Sequence, residues 1–138
     1  SMTLPARSMR FGVLVTREFT EYTDANLPIL IEELTRLGCL HHNIVVKDMP
    51  SEHSLLMGTE FFAEYTDVDG VIILAPSNRI QGNLALMNGI VTIQVQWNMV
   101  VEIGGAECAE RIGEMIELQN EMESNAVLVK PRRTFNFS

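Results

Sequence analysis

Three β-rich stretches decide the fold: FGVLVT at residues 11–16, NIVVKD at residues 43–48 and VIILA at residues 71–75. Compact apolar runs such as the first and the third are typical of strands buried on both faces of a parallel sheet, and the second stretch is interpreted as strand two. Between them, apolar residues recur at helical spacing across residues 27–37 and again across residues 55–62. Strands that alternate with helices of this length predict parallel strands joined by right-handed crossovers.

Cap and stop residues predict where the two helices begin and end. Thr23 and Asp24 follow a polar loop and are good N-caps for the first helix, and Gly38 is a typical helix stop. Pro50 precedes the second helix, for which Ser51 is the expected cap.

The second half of the chain is less regular. Residues 76–83 are predicted to form a polar loop at the carboxyl end of the third strand, where ligands bind in open α/β sheets. Residues 83–97 fit either a helix or an alternating strand. We prefer the helix because the preceding strand needs a crossover, and residues 99–103 then form strand four.

Residues 106–123 carry the clearest helical pattern of this half. The short apolar run at 126–129 is predicted to be either an edge strand or part of a subunit contact. We therefore expect one domain over residues 1–138, with an arm at 1–9 and a tail at 124–138. Its fold class is α/β: a three-layer αβα sandwich around a flavodoxin-like, four-stranded parallel sheet.

Charge and composition exclude several function classes. The formal net charge is −8, which argues against nucleic acid and against anionic membrane surfaces. No apolar run reaches the roughly 18 residues of a membrane span. No basic start precedes an apolar segment, so we expect a cytoplasmic protein with Cys39 and Cys108 as free thiols. The cluster Cys39-Leu40-His41-His42 is interpreted as a solvent-facing loop, and no metal is expected.

With these residues laid out, the chain resembles the 6,7-dimethyl-8-ribityllumazine synthase family. The resemblance runs without a gap through the first three strands and resumes at the last helix. The residues that carry it are Phe11 to Arg17, Thr23-Asp24, Gly38, Asn43 to Val46, Pro50, Asp69 to Ala75, Arg79 and Gly105-Ala106-Glu107.

This resemblance implies a lumazine-synthase-like fold and a transferase of riboflavin biosynthesis. Such an enzyme condenses a ribitylamino-pyrimidinedione with dihydroxybutanone phosphate. It implies a small-molecule substrate, a homo-oligomer of five or more subunits with the site between subunits, and no cofactor.

The resemblance also implies site residues. After the first strand Glu18 falls where the family has a pyrimidine-stacking aromatic, so Phe19, one place later, is the candidate for that role. Arg17 is, with Arg79, one of the two well-placed cations for the substrate phosphate. Ser51 and Ser54 open the second helix, Ala75 and Pro76 follow the third strand, and Arg79 is a candidate phosphate anchor. His53, in place of a family aromatic, is the candidate proton carrier and the one catalytic candidate.

The departures from the family pattern leave three hypotheses open. Ser54 replaces a glutamate that holds the ribityl chain, residues 77–86 contain no histidine, and 103–105 leaves no room for the basic phosphate segment. The chain is therefore a divergent synthase, a relative that kept the oligomeric scaffold and binds a flavin-like or other small molecule, or an unrelated flavodoxin-like binding domain.

Overall fold

Four parallel strands form one sheet with helices on both faces. The structure is a computed structural model that describes residues 4–129. Its elements, in chain order, are a 3-10 turn at Leu4–Arg7, β1 Phe11–Thr16, α1 Thr20–Arg36, β2 Ile44–Met49, α2 Leu55–Tyr65, β3 Gly70–Leu74, α3 Ser77–Gln81, α4 Leu84–Trp97, β4 Val100–Gly104 and α5 Cys108–Val129.

The strand order is β2-β1-β3-β4, and every neighbouring pair is parallel. This is the flavodoxin-like order, so the predicted fold class is confirmed. The two central strands are buried throughout because apolar clusters cover both faces. One cluster lies under α1 and α5, and the other lies under α2, α3 and α4.

One close contact fixes how α2 lies on the sheet. A Cβ atom built at Gly12 would lie 2.7 Å from the ring of Phe62, which is itself 1% exposed. The absence of a side chain on β1 therefore lets α2 approach the sheet closely, and this contact holds the second crossover in place.

Both predicted helix starts were wrong. A 3-10 turn at Arg17–Phe19 leads directly into α1, and the Thr20 hydroxyl donates to the Arg17 carbonyl at 2.7 Å. Thr23 consequently lies inside α1 and does not cap it. The second helix begins at Leu55, after a turn closed by the side chains of Ser51 and Ser54.

Two further predictions in the second half need correction. The loop after β3 contains the short helix α3, since the Pro76 carbonyl accepts hydrogen bonds from the N–H groups of Arg79 and Ile80. Residues 126–129 are helical, because α5 continues unbroken to Val129, so the edge-strand prediction was wrong. The preference for a helix over residues 83–97 is confirmed by α4.

Cys39 and Cys108 are free, as predicted. Both are buried, so the interpretation of residues 39–42 as a solvent-facing loop was wrong for Cys39, whereas His41 and His42 are exposed. Burial raises the pKa of Cys39 to about 11 and that of Cys108 to about 12, so both remain protonated thiols at neutral pH. Within residues 4–129, no helix combines the length and apolar character needed to cross a membrane.

Candidate functional site

The carboxyl ends of the parallel strands meet at one edge of the sheet, which we call the carboxyl edge. β1 delivers the segment 16–19 to this edge, β2 delivers 50–54, and β3 delivers 75–79. Because parallel strands of one sheet end on the same side, these three segments converge although they are distant in sequence.

Glu52 is the centre of the carboxyl edge. Its residue surface is only 9% exposed, which is unusual for a carboxylate. Arg79 Nε donates to Glu52 Oε1 at 3.0 Å, and Asn83 Nδ2 donates to Glu52 Oε2 at 2.7 Å. The Asn83 hydrogen bond, with help from Arg79, outweighs burial and lowers the pKa of Glu52 below its ordinary value of 4.5. Glu52 is thus a fixed, ionised acceptor at neutral pH.

A second carboxylate reaches the same turn from β1. The Glu18 side chain accepts a hydrogen bond from the backbone N–H of Glu52. Glu18 is positioned in turn by Thr16, whose hydroxyl oxygen accepts from the Glu18 N–H at 3.3 Å. The end of β1 therefore helps to hold the Glu52 turn in place.

Ser51 and Ser54 shape this turn. The Ser51 N–H donates to Ser54 Oγ at 3.0 Å, and the Ser54 hydroxyl donates to the Ser51 carbonyl at 2.7 Å. Local bonds of this kind compete with helix formation. They explain why α2 starts late and why Glu52 points into the carboxyl edge.

Asn83 joins the site to α4. Its side-chain oxygen accepts from the Leu86 N–H at 3.1 Å and so caps α4, while its side-chain nitrogen donates to Glu52. A cavity of about 630 Å³ opens beside this group. It is lined by Glu52, Asn78, Arg79, Gly82, Asn83 and Leu84.

The remaining predicted site residues have different surroundings. Arg17 Nε lies 3.3 Å from Asp48 Oδ2, and both side chains are more than half exposed. Phe19 is half-buried and packs against the cluster under α2, α3 and α4, while it also borders a cavity of about 410 Å³ formed by residues 17–22. His53 is exposed next to Glu52.

The contacts of Ala75 and Pro76 are structural. Ala75 is fully buried, and the Pro76 carbonyl begins α3. The structure thus brings Ser51, Ser54 and Arg79 together around Glu52, with His53 beside them. Arg17 and Phe19 lie at a neighbouring position, at the end of β1.

The charges at the carboxyl edge are largely matched. After β4, Glu107 Oε2 accepts from the Gly105 N–H at 2.9 Å. Arg111 Nε, from α5, donates to Oε1 of Glu102 in β4 at 2.6 Å. Among the described residues of this edge, the arginines Arg17, Arg79 and Arg111 each have a carboxylate partner. The edge therefore favours hydroxyl or amine donors over a dianion.

Sequence reasoning missed Glu52 and Asn83. One signal for Glu52 was available. It is a carboxylate two positions before Ser54, in the segment where the resembled family has its own glutamate. Asn83 gave no comparable signal, since an asparagine at a loop end is ordinary. No group of three His, Cys, Asp or Glu side chains within residues 4–129 is arranged to hold a metal ion.

Sheet order and site geometry define an open parallel α/β protein with a polar cleft at its carboxyl edge. No family model matches the chain. Among curated proteins it is similar to the 6,7-dimethyl-8-ribityllumazine synthase of Bacteroides fragilis (strain YCH46), with 32% identity over 66 residues, 48% of this chain and 46% of that protein.

It is also similar to the 6,7-dimethyl-8-ribityllumazine synthase of Polynucleobacter necessarius subsp. necessarius (strain STIR1), with 25% identity. That match covers 83% of this chain and 81% of that protein. The chain thus spans less than half the length of the first relative and most of the second. Both relatives carry the name of the family that the sequence resemblance predicted. The predicted resemblance to this family, at low identity, is therefore confirmed.

Proposed function

We propose that this protein is a divergent relative of the lumazine synthases that binds a neutral, hydroxyl-rich heterocycle, of the ribityl-pyrimidine or flavin class, beside Glu52. The observation that carries this proposal is the buried, ionised Glu52 carboxylate held next to an open cavity of about 630 Å³. A carboxylate fixed in this way is prepared to accept hydrogen bonds from ligand hydroxyl groups.

The hydrogen-bonding capacity of Glu52 supports this ligand class. A carboxylate offers about four lone-pair sites, and Arg79 and Asn83 each occupy one. Acceptor sites therefore remain for the hydroxyls of a polyol chain. Charge-assisted bonds from hydroxyl to carboxylate are stronger than neutral ones, so a ribityl chain gains both affinity and orientation here.

The balance of charge disfavours a phosphate as the main ligand group. A phosphate dianion needs unpaired cationic donors, whereas Arg17, Arg79 and Arg111 are all paired with carboxylates. The net charge of −8 adds a long-range repulsion of anions.

Calorimetric titration with riboflavin and with 6,7-dimethyl-8-ribityllumazine tests this proposal. We expect saturable binding of at least one of them, and a loss of about 10- to 100-fold in affinity for Glu52→Gln, because a hydrogen bond to a charged group is lost. Asp48→Asn is the matched control, since it removes an exposed carboxylate at the end of β2. No binding of either compound, or equal losses in both variants, would contradict the proposal.

A second candidate function is the condensation itself, in riboflavin biosynthesis. The observation that favours it is the 66% exposure of the Arg79 side chain, which leaves guanidinium N–H groups for the phosphate of dihydroxybutanone phosphate. His53, exposed beside Glu52, would carry the proton. Holding two reactive substrates together supplies much of the rate in such a reaction, so a site with few catalytic groups can still turn over.

Mass spectrometric measurement of lumazine formation, against a blank without protein, tests the second candidate. Product well above the blank, reduced about 10-fold or more in Arg79→Ala, would support it. Product at the blank level would remove it and leave the binding function.

His53→Gln should lower turnover about 100-fold if the imidazole transfers a proton, and should leave ligand affinity unchanged.

We further propose a cytoplasmic homo-oligomer, as the relatives' family implies. The outer surface of α4 supports a subunit contact, because the apolar side chains of Leu84, Val91 and Val95 are exposed there. Light scattering should then give a mass of several subunits, and Val91→Glu with Val95→Glu should lower that mass. A monomeric mass for the unchanged protein would contradict this.

A further inference from the structure

The edge of the sheet at β2 is open and apolar. Among the residues that the structure describes, β2 pairs with β1 alone, so its outer edge lacks a strand partner. Val45 and Val46 are exposed on this edge strand. The strand contains no proline and only one lysine, which are the residues that usually protect an edge. Such an edge is therefore a template on which another strand can pair.

Helix α2 extends this apolar surface above the edge. Met57, Phe61 and Tyr65 are exposed and follow one another at four-residue spacing, so they form one stripe along α2. The stripe faces the edge strand, because the Lys47 ammonium group lies 5.8 Å from the centre of the Phe61 ring. We call residues 44–48 together with this stripe the β2 surface.

The two ends of the β2 surface have opposite shapes. At the carboxyl end of β2 Met57 projects into solvent and is 66% exposed. This position follows from the next residue, Gly58, where an added Cβ atom would lie 3.2 Å from Met49 Sδ. At the amino end a cavity of about 440 Å³ opens beside the stripe, and Val45 and Phe61 belong to its apolar wall. A projection and a cavity thus lie at opposite ends of one surface, on the same face of the sheet.

A two-fold axis perpendicular to the sheet would exchange these two ends. Two β2 strands that pair antiparallel about such an axis keep both α2 helices on one face, since residues opposite each other share a face. Met57 of each copy would then enter the cavity of the other and meet Tyr65 at its border, a favourable contact of sulfur with an aromatic ring. The β2 surface is therefore self-complementary, as a contact between two identical chains requires.

The charges of the strand select the register of this pairing. An axis at Lys47 or at Asp48 would place that residue opposite its own copy, and like charges directly opposite each other are destabilising. An axis at Val46 pairs Ile44–Asp48 with the same five residues of the other copy in reverse order, with Lys47 opposite Val45. This register uses most of the strand and opposes no like charges.

Local charge balance favours a second copy over a strongly charged partner. Although the chain carries a net charge of −8, Lys47 and Asp48 offset each other on the edge strand. Arg10, which also borders the cavity, is paired with Asp67. A neutral, partly apolar surface of this kind matches a copy of itself.

We propose that a second copy of this chain covers the β2 surface, with the two β2 strands antiparallel around Val46. Met57 of each copy then fills the cavity of the other, and the two four-stranded sheets become one sheet across both chains. This contact lies on a different surface from α4 and does not involve the cavity beside Glu52. It therefore goes beyond the proposed function and can be tested independently of it.

Sedimentation equilibrium tests the projection and the cavity. Val91→Glu/Val95→Glu serves as the parent protein, so that the outer surface of α4 does not contribute to the mass. We expect a parent mass of two chains. Met57→Glu should raise the dissociation constant of this dimer about tenfold or more, because a charge would enter an apolar cavity.

Met122→Glu, in the same parent, is the matched control for Met57→Glu. Met122 is an exposed methionine on α5, at 61%, and lies outside the β2 surface. We expect its substitution to change the dissociation constant less than about twofold. A monomeric parent, or equal changes in the two variants, would overturn the proposal.

Disulfide cross-linking of the otherwise unchanged protein tests the register. Residues opposite each other in an antiparallel pair have Cα atoms about 4.5–5.5 Å apart, which a disulfide can span. Val46→Cys should therefore form a disulfide between two copies under mild oxidation, whereas Cys39 and Cys108 are buried and react slowly. Asp48→Cys is the control on the same face of the strand, about 13 Å from its own copy. No cross-link at Val46, or equal cross-linking of both variants on a non-reducing gel, would overturn the proposal.

Discussion

The interior of the sheet and its carboxyl edge are stabilised in different ways. Between β1 and α2, Gly12 and Phe62 meet with no space left over, and no charge is involved. At the carboxyl edge, Glu52 is held by two hydrogen bonds from side chains and opens onto a cavity. The interior therefore depends on shape, whereas the edge depends on a few oriented charges, and the two should respond to different perturbations.

The largest effect should come from the interior. Phe62→Ala should lower the free energy of unfolding by about 3–5 kcal/mol, because it empties a closely packed site. Phe61, the preceding residue, is 40% exposed, so Phe61→Ala should cost well under half as much. Urea denaturation measures both, and similar losses would mean that close packing at Phe62 is not what holds α2 to the sheet.

Adding volume at Gly12 also tests its contact with Phe62. Gly12→Ala should destabilise by about 1–3 kcal/mol, because the new methyl group meets the Phe62 ring. In the Phe62→Ala background the same change should cost much less, since the ring is gone. Denaturation of the double-mutant cycle gives this coupling, and strictly additive losses would contradict the contact.

At the carboxyl edge the expected effect is intermediate. Glu52→Gln should cost about 1–3 kcal/mol, because Arg79 and Asn83 lose a charged acceptor. Asp48→Asn, at an exposed site on the same edge, is the control and should cost less. If the two variants unfold at the same urea concentration, the Glu52 group does not stabilise the fold.

The same carboxylate gives a pH dependence. The pKa of Glu52 is lowered in the folded state, mainly by the Asn83 hydrogen bond. Its contribution to stability is therefore complete above the ordinary value of 4.5 and is lost as the pH falls through the lower folded value. The difference in stability between the unchanged protein and Glu52→Gln should shrink below pH 4.5. A difference that stays constant down to acid unfolding would contradict this.

The smallest effect should come from the exposed pair at the end of β1. Arg17 and Asp48 have side chains 67% and 54% exposed, and such pairs contribute about 0–1 kcal/mol. Arg17→Ala should leave the free energy of unfolding nearly unchanged, with any loss disappearing in 1 M salt. A larger loss that persists in salt would show that Arg17 stabilises more than this pair.

Element types were predictable where a single local pattern dominated. An exposed strand would place the apolar runs of β1 and β3 in water, so their burial could be predicted from composition alone. The helix over residues 83–97 was predicted because a parallel connection requires it, although the local pattern was ambiguous. Helix starts were less predictable: Thr23 has the side chain of a cap, but Thr20 bonds to the preceding turn and α1 begins there.

The amino-acid sequence by itself determined the alternation of strands and helices, because hydrophobic periodicity acts over a few residues. It also determined the resemblance that both relatives bear out. Only the tertiary structure decided the site. Glu52 is 27 residues from Arg79 and 31 from Asn83 along the chain, so no local pattern predicts that these side chains meet. They meet because two parallel strands end at the same edge, and the buried position of Glu52 then requires both partners.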